Sequence, residues 1–136
     1  MTGLRVLTGC DVVDVARLAA AIDRQAGLLQ RVFTERELVD VRRGGVEVGS
    51  AVERERLAAR FAAKEATRKA LGNLRLAFHR VEVRTAGGGA PVLHLDGVRA
   101  PLTCSLSHDG GIAMAVVVGI VPEAGDHPLM EVLGGP

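Results

Sequence analysis

The sequence predicts an α+β domain in which N-terminal helices pack on an antiparallel sheet. Two capping boxes, Thr34–Glu37 and Ser50–Glu53, mark the starts of helices in the first half of the chain. In the second half the apolar residues change to a period of two, as at Val81 and Val83, which is typical of strands. Helices that mostly precede the strands, rather than alternating with them, favour the α+β class.

The first half of the chain contains one predicted strand and three predicted helices. The apolar run at 5–10 predicts the strand. A helix follows from near Asp14 to a point before Gly27, because its apolar residues recur on one helical face. The two capping boxes begin helices over 34–43 and 51–71, the second of which ends at a glycine.

The second half is predicted as antiparallel strands joined by tight turns. Strands are expected over 78–85, 91–95, 102–107 and 112–120. The three glycines at 87–89 and the pair Asp96-Gly97 supply turns between strands. We expect a single domain over residues 1–121 and an irregular tail over residues 122–136.

Composition excludes several classes of protein. The 136 residues are 48% hydrophobic, which is too apolar for a disordered chain. The net charge is +1 and neither Trp nor Tyr is present to stack on bases, so we expect no nucleic-acid partner. The longest apolar stretch, Ile112–Val121, is too short to span a membrane. No apolar signal core follows the N-terminus, and Cys10 and Cys104 form no CxxC motif, so we expect a cytoplasmic protein with reduced thiols.

Two carboxylates occupy positions that suit a metal ion. Glu65 follows Phe61 at an interval of four residues, on a helical stripe that is otherwise apolar. Such a carboxylate needs a partner, which is either Lys69 one turn later or a hard cation such as Mg²⁺. Asp11 lies where the first strand ends. It either caps the next helix, a role for which Asp14 competes, or serves as a second metal ligand.

Lysines are rare in this chain and lie close together. Only two of the 17 basic residues are lysines, Lys64 and Lys69. Either a coding preference for arginine has left them by chance, or compact ammonium groups are needed there for phosphate oxygens. The run Ser105-Leu-Ser107-His108 either caps a strand end or holds a phosphate or a ribose. The sequence contains neither a Gly-x-Ser-x-Gly nucleophile motif nor a Walker motif.

Four motifs in this order resemble one enzyme family. They are Gly9–Asp14 (GCDVVD), Arg31–Glu37 (RVFTERE), Arg60–Gly72 (RFAAKEATRKALG) and Ser105–His108 (SLSH). Together they resemble the holo-acyl-carrier-protein synthase type of 4′-phosphopantetheinyl transferase, over residues 3–121. The resemblance implies the single-domain 4′-phosphopantetheinyl transferase fold. It also implies transfer of the phosphopantetheine arm of coenzyme A to a serine of an apo acyl carrier protein, with release of adenosine 3′,5′-bisphosphate.

The same resemblance implies roles for the two carboxylates and the two lysines. Asp11 and Glu65 would be the magnesium ligands, with Mg²⁺ between them and the diphosphate of coenzyme A. Lys64 and Lys69 would face coenzyme A phosphates, and Asp11, Glu65 and Lys64 form the expected catalytic set. The residues single out no general base, so Glu65 acting through water and a water on the metal are both open.

A second group of residues is implied to contact the nucleotide and the carrier protein. Ser107 and His108 would hold the nucleotide end of coenzyme A. The family is trimeric with active sites at subunit interfaces, so we expect a homotrimer. Arg17 matches the family position that meets the acidic helix of the carrier, and Arg24 lies on the same helical face seven residues later. Fatty-acid, polyketide and peptide-synthetase carriers all fit these features.

The chain departs from the family pattern at three places within the resemblance, and the tail beyond Pro122 has no counterpart in the family. Asn73–Arg75 stands where the family has a Gly-rich stretch, Gly89–Pro91 lacks the usual lysine, and Phe78–Arg80 replaces an aromatic and acidic sequence. These changes bear on coenzyme A affinity and carrier choice more than on the reaction. Two alternatives are open at this point: a family member that binds coenzyme A or a carrier protein without catalysis, and an unrelated α+β binding module.

Overall fold

In residues 3–134, which a computed structural model describes, the strands form two antiparallel sheets of three strands each. The main sheet has the order β1-β6-β5, with β1 at Leu4–Asp14, β5 at Thr103–Asp109 and β6 at Ile112–Pro122. The small sheet has the order β2-β3-β4, with β2 at Val81–Thr85, β3 at Pro91–Leu95 and β4 at Val98–Arg99. The sheets, together with the helices that pack on them, confirm the predicted α+β class.

Three of the helices begin directly after a residue whose side chain caps them. Their bounds are Val15–Arg24 for α1, Leu28–Val32 for α2, Glu35–Val41 for α3 and Ala51–Ala70 for α4. Asp14 accepts a hydrogen bond from the Arg17 backbone N–H at 2.9 Å, which caps α1. Thr34 and Glu37 form a complete capping box at α3. Within the described part of the chain, none of the helices has the length and apolar character needed to cross a membrane.

Helix α4 packs against the inner face of the main sheet. Ala62, Ala63 and Ala66 on this helix are completely buried. A Cβ atom at Gly9 of β1 would lie 2.0 Å from the Ala66 carbonyl oxygen, so only glycine allows this approach. Small side chains on the helix and the missing side chain at Gly9 therefore let the helix backbone lie directly on β1.

The outer face of the main sheet is apolar and exposed. Alternation along β6 directs Ala113, Ala115 and Val117 to the helix side, where they are completely buried. Seven apolar side chains on the opposite face are between 37% and 69% exposed: Leu4, Val6, Val12, Ile112, Met114, Val118 and Ile120. We call this surface the outer apolar face. A contiguous apolar surface of this kind is typical of an interaction site.

A fully buried ion pair joins α3, α4 and the small sheet. Lys64 Nζ lies 2.6 Å from Glu37 Oε1, and both side chains are 0% exposed. The ammonium also donates to the carbonyl oxygens of Phe78 and Val81, at 3.0 and 2.5 Å. Glu37 accepts a hydrogen bond from the Val83 backbone N–H at 2.9 Å. Burial lowers the pKa of Lys64, and the charge of Glu37 opposes this effect.

The segment after β6 contributes to the core although it contains no helix or strand up to residue 134. Leu129 and Val132 are 1% and 6% exposed and belong to the same buried cluster as Leu71 and Leu76. The expected division of the chain after residue 121 stays a prediction, and the last two residues of the expected tail lie outside the described residues.

The structure differs from the predicted elements at several places, and the two-residue strand β4 has no predicted counterpart. Strand β1 extends to Asp14 rather than ending at residue 10, because residues 11–14 continue to pair with β6. The strand predicted over 78–85 begins only at Val81, since Phe78–Arg80 form a 3₁₀ turn. Helix α2 has no counterpart in the sequence prediction, because its five residues have no side-chain cap and are too few to show a period.

Replacing Lys64 by methionine should strongly destabilise the protein. The Lys64→Met variant leaves the Glu37 carboxylate buried without a cation, and we expect the free energy of unfolding to fall by about 3–5 kcal/mol. The double variant Lys64→Met/Glu37→Gln removes both charges and should recover a large part of this loss. Urea denaturation of the three proteins measures these differences. A Lys64→Met variant that unfolds at the wild-type urea concentration would contradict the structural role of the pair.

Candidate functional site

An open groove lies between β1, α1 and α4. Asp11 and Glu65 line it together with the helix-capping Asp14, Arg17 and the apolar side chain of Phe61. The cavity has a volume of about 540 Å³, and we call it the carboxylate groove. The structure thus brings together the two acids that the sequence predicts as metal ligands.

The Asp11 carboxylate is paired with Lys69. Lys69 Nζ lies 2.9 Å from Asp11 Oδ1 and donates a second hydrogen bond, at 3.1 Å, to the Cys10 carbonyl oxygen. The hydrogen bond to Asp11 raises the pKa of Lys69. Because Asp14 caps α1, the alternative in which Asp11 is the capping residue is wrong.

Glu65 is paired with Arg68. Arg68 Nη1 lies 3.4 Å from Glu65 Oε1, so the structure corrects the alternative in which Lys69 is the partner of Glu65. The Glu65 side chain is 23% exposed, which places it at the wall of the groove rather than in the sealed core. Arg68 also donates to the carbonyl oxygen of Leu74, and its guanidinium carbon lies 4.3 Å from the centre of the Phe78 ring.

The two carboxylates fit a magnesium ion that takes few protein ligands. Among residues 3–134, no group of three or more His, Cys, Asp or Glu side chains could hold a metal ion. The side chains of Asp11 and Glu65 are 16% and 23% exposed, so both can be reached from the groove. Mg²⁺ commonly binds one or two carboxylates and completes its coordination with water and substrate phosphates. The donor set of the groove therefore fits Mg²⁺ together with a phosphorylated substrate.

Lys64 lies outside the carboxylate groove in this structure. Its side chain is completely buried and directed toward Glu37, so it does not line the carboxylate groove. Lys64 and Glu65 are consecutive, and consecutive helical residues are about 100° apart around the axis. Glu65 therefore faces the groove while Lys64 faces the core. The catalytic and coenzyme A-binding role expected for Lys64 stays a prediction, and in this structure its ammonium contacts Glu37 and two backbone carbonyl oxygens.

Ser107 and His108 lie away from the carboxylate groove. Strand β5 is an edge strand, separated from β1 by β6. Neighbouring residues of a strand point to opposite faces, so Ser107 lies on the outer face and His108 on the helix side. His108 Nδ1 lies 3.8 Å from Glu55 Oε2. Within one chain, the two residues predicted to hold the nucleotide therefore do not join the groove that contains Asp11.

A second cavity is lined by three arginines with no predicted role. Arg43, Arg56 and Arg60 line it together with Asp40 and part of the glycine-rich turn between β2 and β3, and we call it the arginine cavity. Arg60 is 9% exposed, and its Nε atom is buried without a hydrogen-bond partner. Burial lowers the pKa of Arg60. Three guanidinium groups with an unsatisfied donor suit an anion such as a phosphate.

The sequence does contain a signal for Arg60. It precedes Lys64 by four residues and Thr67 by seven, which places the three polar side chains on one face of α4. All three are buried. Arg60 also lines a neighbouring cavity bordered by Ser105 of β5, so the arginine cavity and the β5 edge lie on the same side of the chain.

The two arginines predicted to meet the carrier protein are both exposed on α1. Arg17 lines the carboxylate groove, whereas Arg24 lies in the last turn of the helix and is not among the groove residues. Seven residues of helix separate them by about 10 Å. Arg17 is therefore the one that lies next to the candidate metal ligands.

Comparison with known proteins relates the chain to one family. A family model described as the 4′-phosphopantetheinyl transferase superfamily matches residues 8–120. A holo-[acyl-carrier-protein] synthase of Frankia alni is 44% identical over 120 residues, which cover 81% of this chain and 92% of that protein. A holo-[acyl-carrier-protein] synthase of Streptomyces coelicolor is 43% identical over 120 residues, which cover 81% and 93%.

The fold is also similar to solved structures. A holo-(acyl-carrier-protein) synthase of Bacillus anthracis in complex with CoA (3′,5′-ADP) gives a TM-score of 0.71 at 30% identity, covering 85% of this chain and 96% of that one. A holo-[acyl-carrier-protein] synthase of Helicobacter pylori in complex with coenzyme A gives a TM-score of 0.68 at 27% identity, covering 85% and 100%. The matched range 8–120 includes every residue that lines the carboxylate groove.

Proposed function

Because the chain belongs to the 4′-phosphopantetheinyl transferase superfamily, we propose that the carboxylate groove is the site at which it transfers the phosphopantetheine arm of coenzyme A to a serine of an apo acyl carrier protein. The observation that carries this proposal is the presence of Asp11 and Glu65 in one groove. The reaction itself is supported by 44% identity to a holo-[acyl-carrier-protein] synthase and by the likeness to a coenzyme A complex.

The chemistry of this transfer explains why the groove is rich in charge. The serine oxygen of the carrier bonds to the phosphorus that bears the pantetheine arm, and the bond from that phosphorus to the bridging diphosphate oxygen breaks. Adenosine 3′,5′-bisphosphate leaves, and the serine proton passes to a base or to water. Negative charge is concentrated on the phosphate oxygens, so the site must supply positive charge and hold the two oxygens in line.

The charged residues of the groove fit these requirements. Asp11 and Glu65 would hold Mg²⁺, which supplies Lewis-acid charge to the diphosphate when it is bound. Lys69 pairs with Asp11 and is 46% exposed, so its ammonium is close enough to neutralise oxygens of a bound phosphate, whereas Arg68 pairs with Glu65. Phe61 provides an apolar wall that limits water on one side of the groove.

The expected location is the cytoplasm, where thiols stay reduced. Cys10 and Cys104 are both free cysteines. Burial raises the pKa of the Cys104 thiol to about 11, so this thiol is protonated and unreactive at neutral pH.

Replacing either groove carboxylate should abolish transfer while the fold survives. In Asp11→Ala or Glu65→Ala the magnesium ion loses one of two protein ligands, and we expect the transfer rate to fall by about 100-fold or more. The rate is measured by mass spectrometry, from the mass that an apo carrier protein gains when it is incubated with coenzyme A and Mg²⁺. Circular dichroism shows whether each variant is folded.

The matched control for these variants is Asp23→Asn. Asp23 is an acid of α1 whose side chain is 70% exposed and which does not line the groove. Its transfer rate should stay within about twofold of the wild-type rate. A folded Asp11→Ala or Glu65→Ala variant with near wild-type turnover would show that the groove is not the site of transfer.

We further propose that three copies of the chain assemble through the outer apolar face. In a closed ring each subunit presents two different surfaces to its neighbours, so the β5 edge of one copy can meet the β1 edge of the next. This arrangement would place Ser107 and His108 of the partner subunit beside the carboxylate groove. The position of β1 and β5 at opposite edges of the main sheet supports the proposal.

A charge on the outer apolar face should break the assembly. Ile120 is 60% exposed on this face, and Ile120→Asp should give a monomer with reduced transfer, because an unpaired carboxylate is costly to bury in an interface. Val98→Asp is the control, since Val98 is 70% exposed on the small sheet. Light scattering at micromolar concentration should give three times the chain mass for the wild type and for the control. A monomeric wild type would refute the homotrimer.

The carrier protein is proposed to dock on the exposed side of α1. Arg17 lines the groove, and Arg24 extends the positive charge along the same helix. An acidic helix of a carrier protein would find opposite charge there while its serine reaches the groove. Contacts between exposed charges mainly set the encounter rate and its salt dependence.

Reversing the charge of Arg17 should weaken carrier binding without affecting coenzyme A. For Arg17→Glu we expect the KM for the apo carrier to rise about fivefold or more at low salt, because repulsion is added to the lost attraction. The difference in carrier KM between the variant and the wild type should narrow as the salt concentration rises. The KM for coenzyme A should barely change. Arg99→Glu, an exposed site on β4, is the control. An unchanged carrier KM at low salt would mean that Arg17 is only a solvated helix residue.

A further inference from the structure

The segment 123–134, here called the tail, contacts the loop that follows α4. The Leu129 and Val132 side chains of the tail belong to the same buried cluster as Leu71 and Leu76. The Gly134 backbone N–H donates to the Leu71 carbonyl oxygen at 2.9 Å. Carbonyl groups at the C-terminal end of a helix have no partner within the helix, so this bond from the tail closes the end of α4.

Two further contacts hold the loop at 72–75 in place. Asn73 Nδ2 donates to the Val132 carbonyl oxygen at 3.0 Å. A Cβ atom at Gly134 would lie 1.8 Å from the Gly72 carbonyl oxygen, so the two backbones touch and no larger residue fits there. The tail therefore fixes the stretch of chain that replaces the Gly-rich sequence of the family.

The same loop holds Arg68 from its other side. Arg68 donates to the Leu74 carbonyl oxygen, and its second terminal nitrogen lies 3.4 Å from Glu65 Oε1. The Phe78 ring lies against the guanidinium, and the Arg68 side chain is only 13% exposed. A continuous series of contacts thus runs from the tail through the loop to Arg68 and Glu65.

We infer that the tail is a positioning element for Glu65. It fixes the loop, the loop carbonyl of Leu74 fixes the Arg68 guanidinium, and Arg68 sets the direction of the Glu65 carboxylate in the groove. The inference rests on the proposed function of Glu65 as a magnesium ligand. Loss of the tail contacts therefore changes the direction of the Glu65 carboxylate in the groove. This change weakens the binding of coenzyme A with Mg²⁺ more than it slows the transfer step.

The first measurement asks whether the tail holds the loop. Gly134→Ala forces a methyl group against the Gly72 carbonyl, and Asn73→Asp removes the donor to Val132 while keeping the oxygen that accepts from the Arg75 N–H. In both variants, hydrogen exchange of the amides at 71–76 should be about tenfold faster or more, with β1 and β6 unchanged. Met130→Ala is the control, since Met130 is a tail residue that is 42% exposed.

The second measurement asks whether the loop acts on the site. In both variants the KM for coenzyme A and the Mg²⁺ concentration for half-maximal rate should rise about threefold or more, with kcat and the carrier KM within about twofold. Arg68→Gln should raise the same two quantities. Adding Gly134→Ala to Arg68→Gln should raise them no further, because both changes act through one contact series.

Three results would overturn the inference. Unchanged hydrogen exchange at 71–76 would mean that the tail does not hold the loop. Faster exchange with an unchanged KM for coenzyme A would mean that the tail only packs against the core. Additive effects of Gly134→Ala and Arg68→Gln would mean that the tail does not act through Arg68. An active Glu65→Ala variant would instead overturn the proposed function, and the exchange measurement does not depend on that result.

Discussion

A single buried ion pair determines the orientation of helix α4 in this molecule. Lys64 and Glu37 carry opposite charges in the core, 2.6 Å apart and without exposure to solvent. A buried charge is costly unless its partner and its hydrogen bonds are in place, so α3, α4 and β2 can combine only in an arrangement that supplies them. The rotation of α4 about its own axis is thereby fixed. Because Glu65 is the next residue, the same pair determines that its carboxylate faces the groove.

Helix α4 is therefore one rigid element that lines two cavities. Phe61 and Glu65 line the carboxylate groove, whereas Arg60, on another face, lines the arginine cavity. The helix can lie directly on β1 because Gly9 has no side chain and Ala66 has a small one. Close approach of backbones, rather than large aromatic side chains, provides the packing density that the core requires. Any displacement of α4 would move both cavities together.

Local patterns were sufficient to predict the fold class and the longest helix, and they singled out Asp11 and Glu65 while leaving the partner of each acid open. The capping box at Thr34 and the interval from Phe61 to Glu65 involve residues within one helical turn, so the sequence alone contains them. The direction of the Lys64 side chain depends on Glu37, which is distant in the chain. A matched sequence motif gives the identity of a residue but not the direction of its side chain. The burial of Leu129 is equally non-local, because it depends on where an irregular segment meets the end of α4.

Exposure distinguishes the ion pairs that hold the fold from those that can serve the reaction. The Lys64–Glu37 pair is sealed from solvent, so separating it would leave two buried charges without partners. Lys69, in contrast, is 46% exposed, and water can replace Asp11 as its partner at small cost. On the proposed function, Asp11 must exchange Lys69 for a metal ion while Lys69 turns to a phosphate oxygen. Such an exchange is possible only for a pair near solvent, so the proposed role suits the exposed Lys69 better than the sealed Lys64.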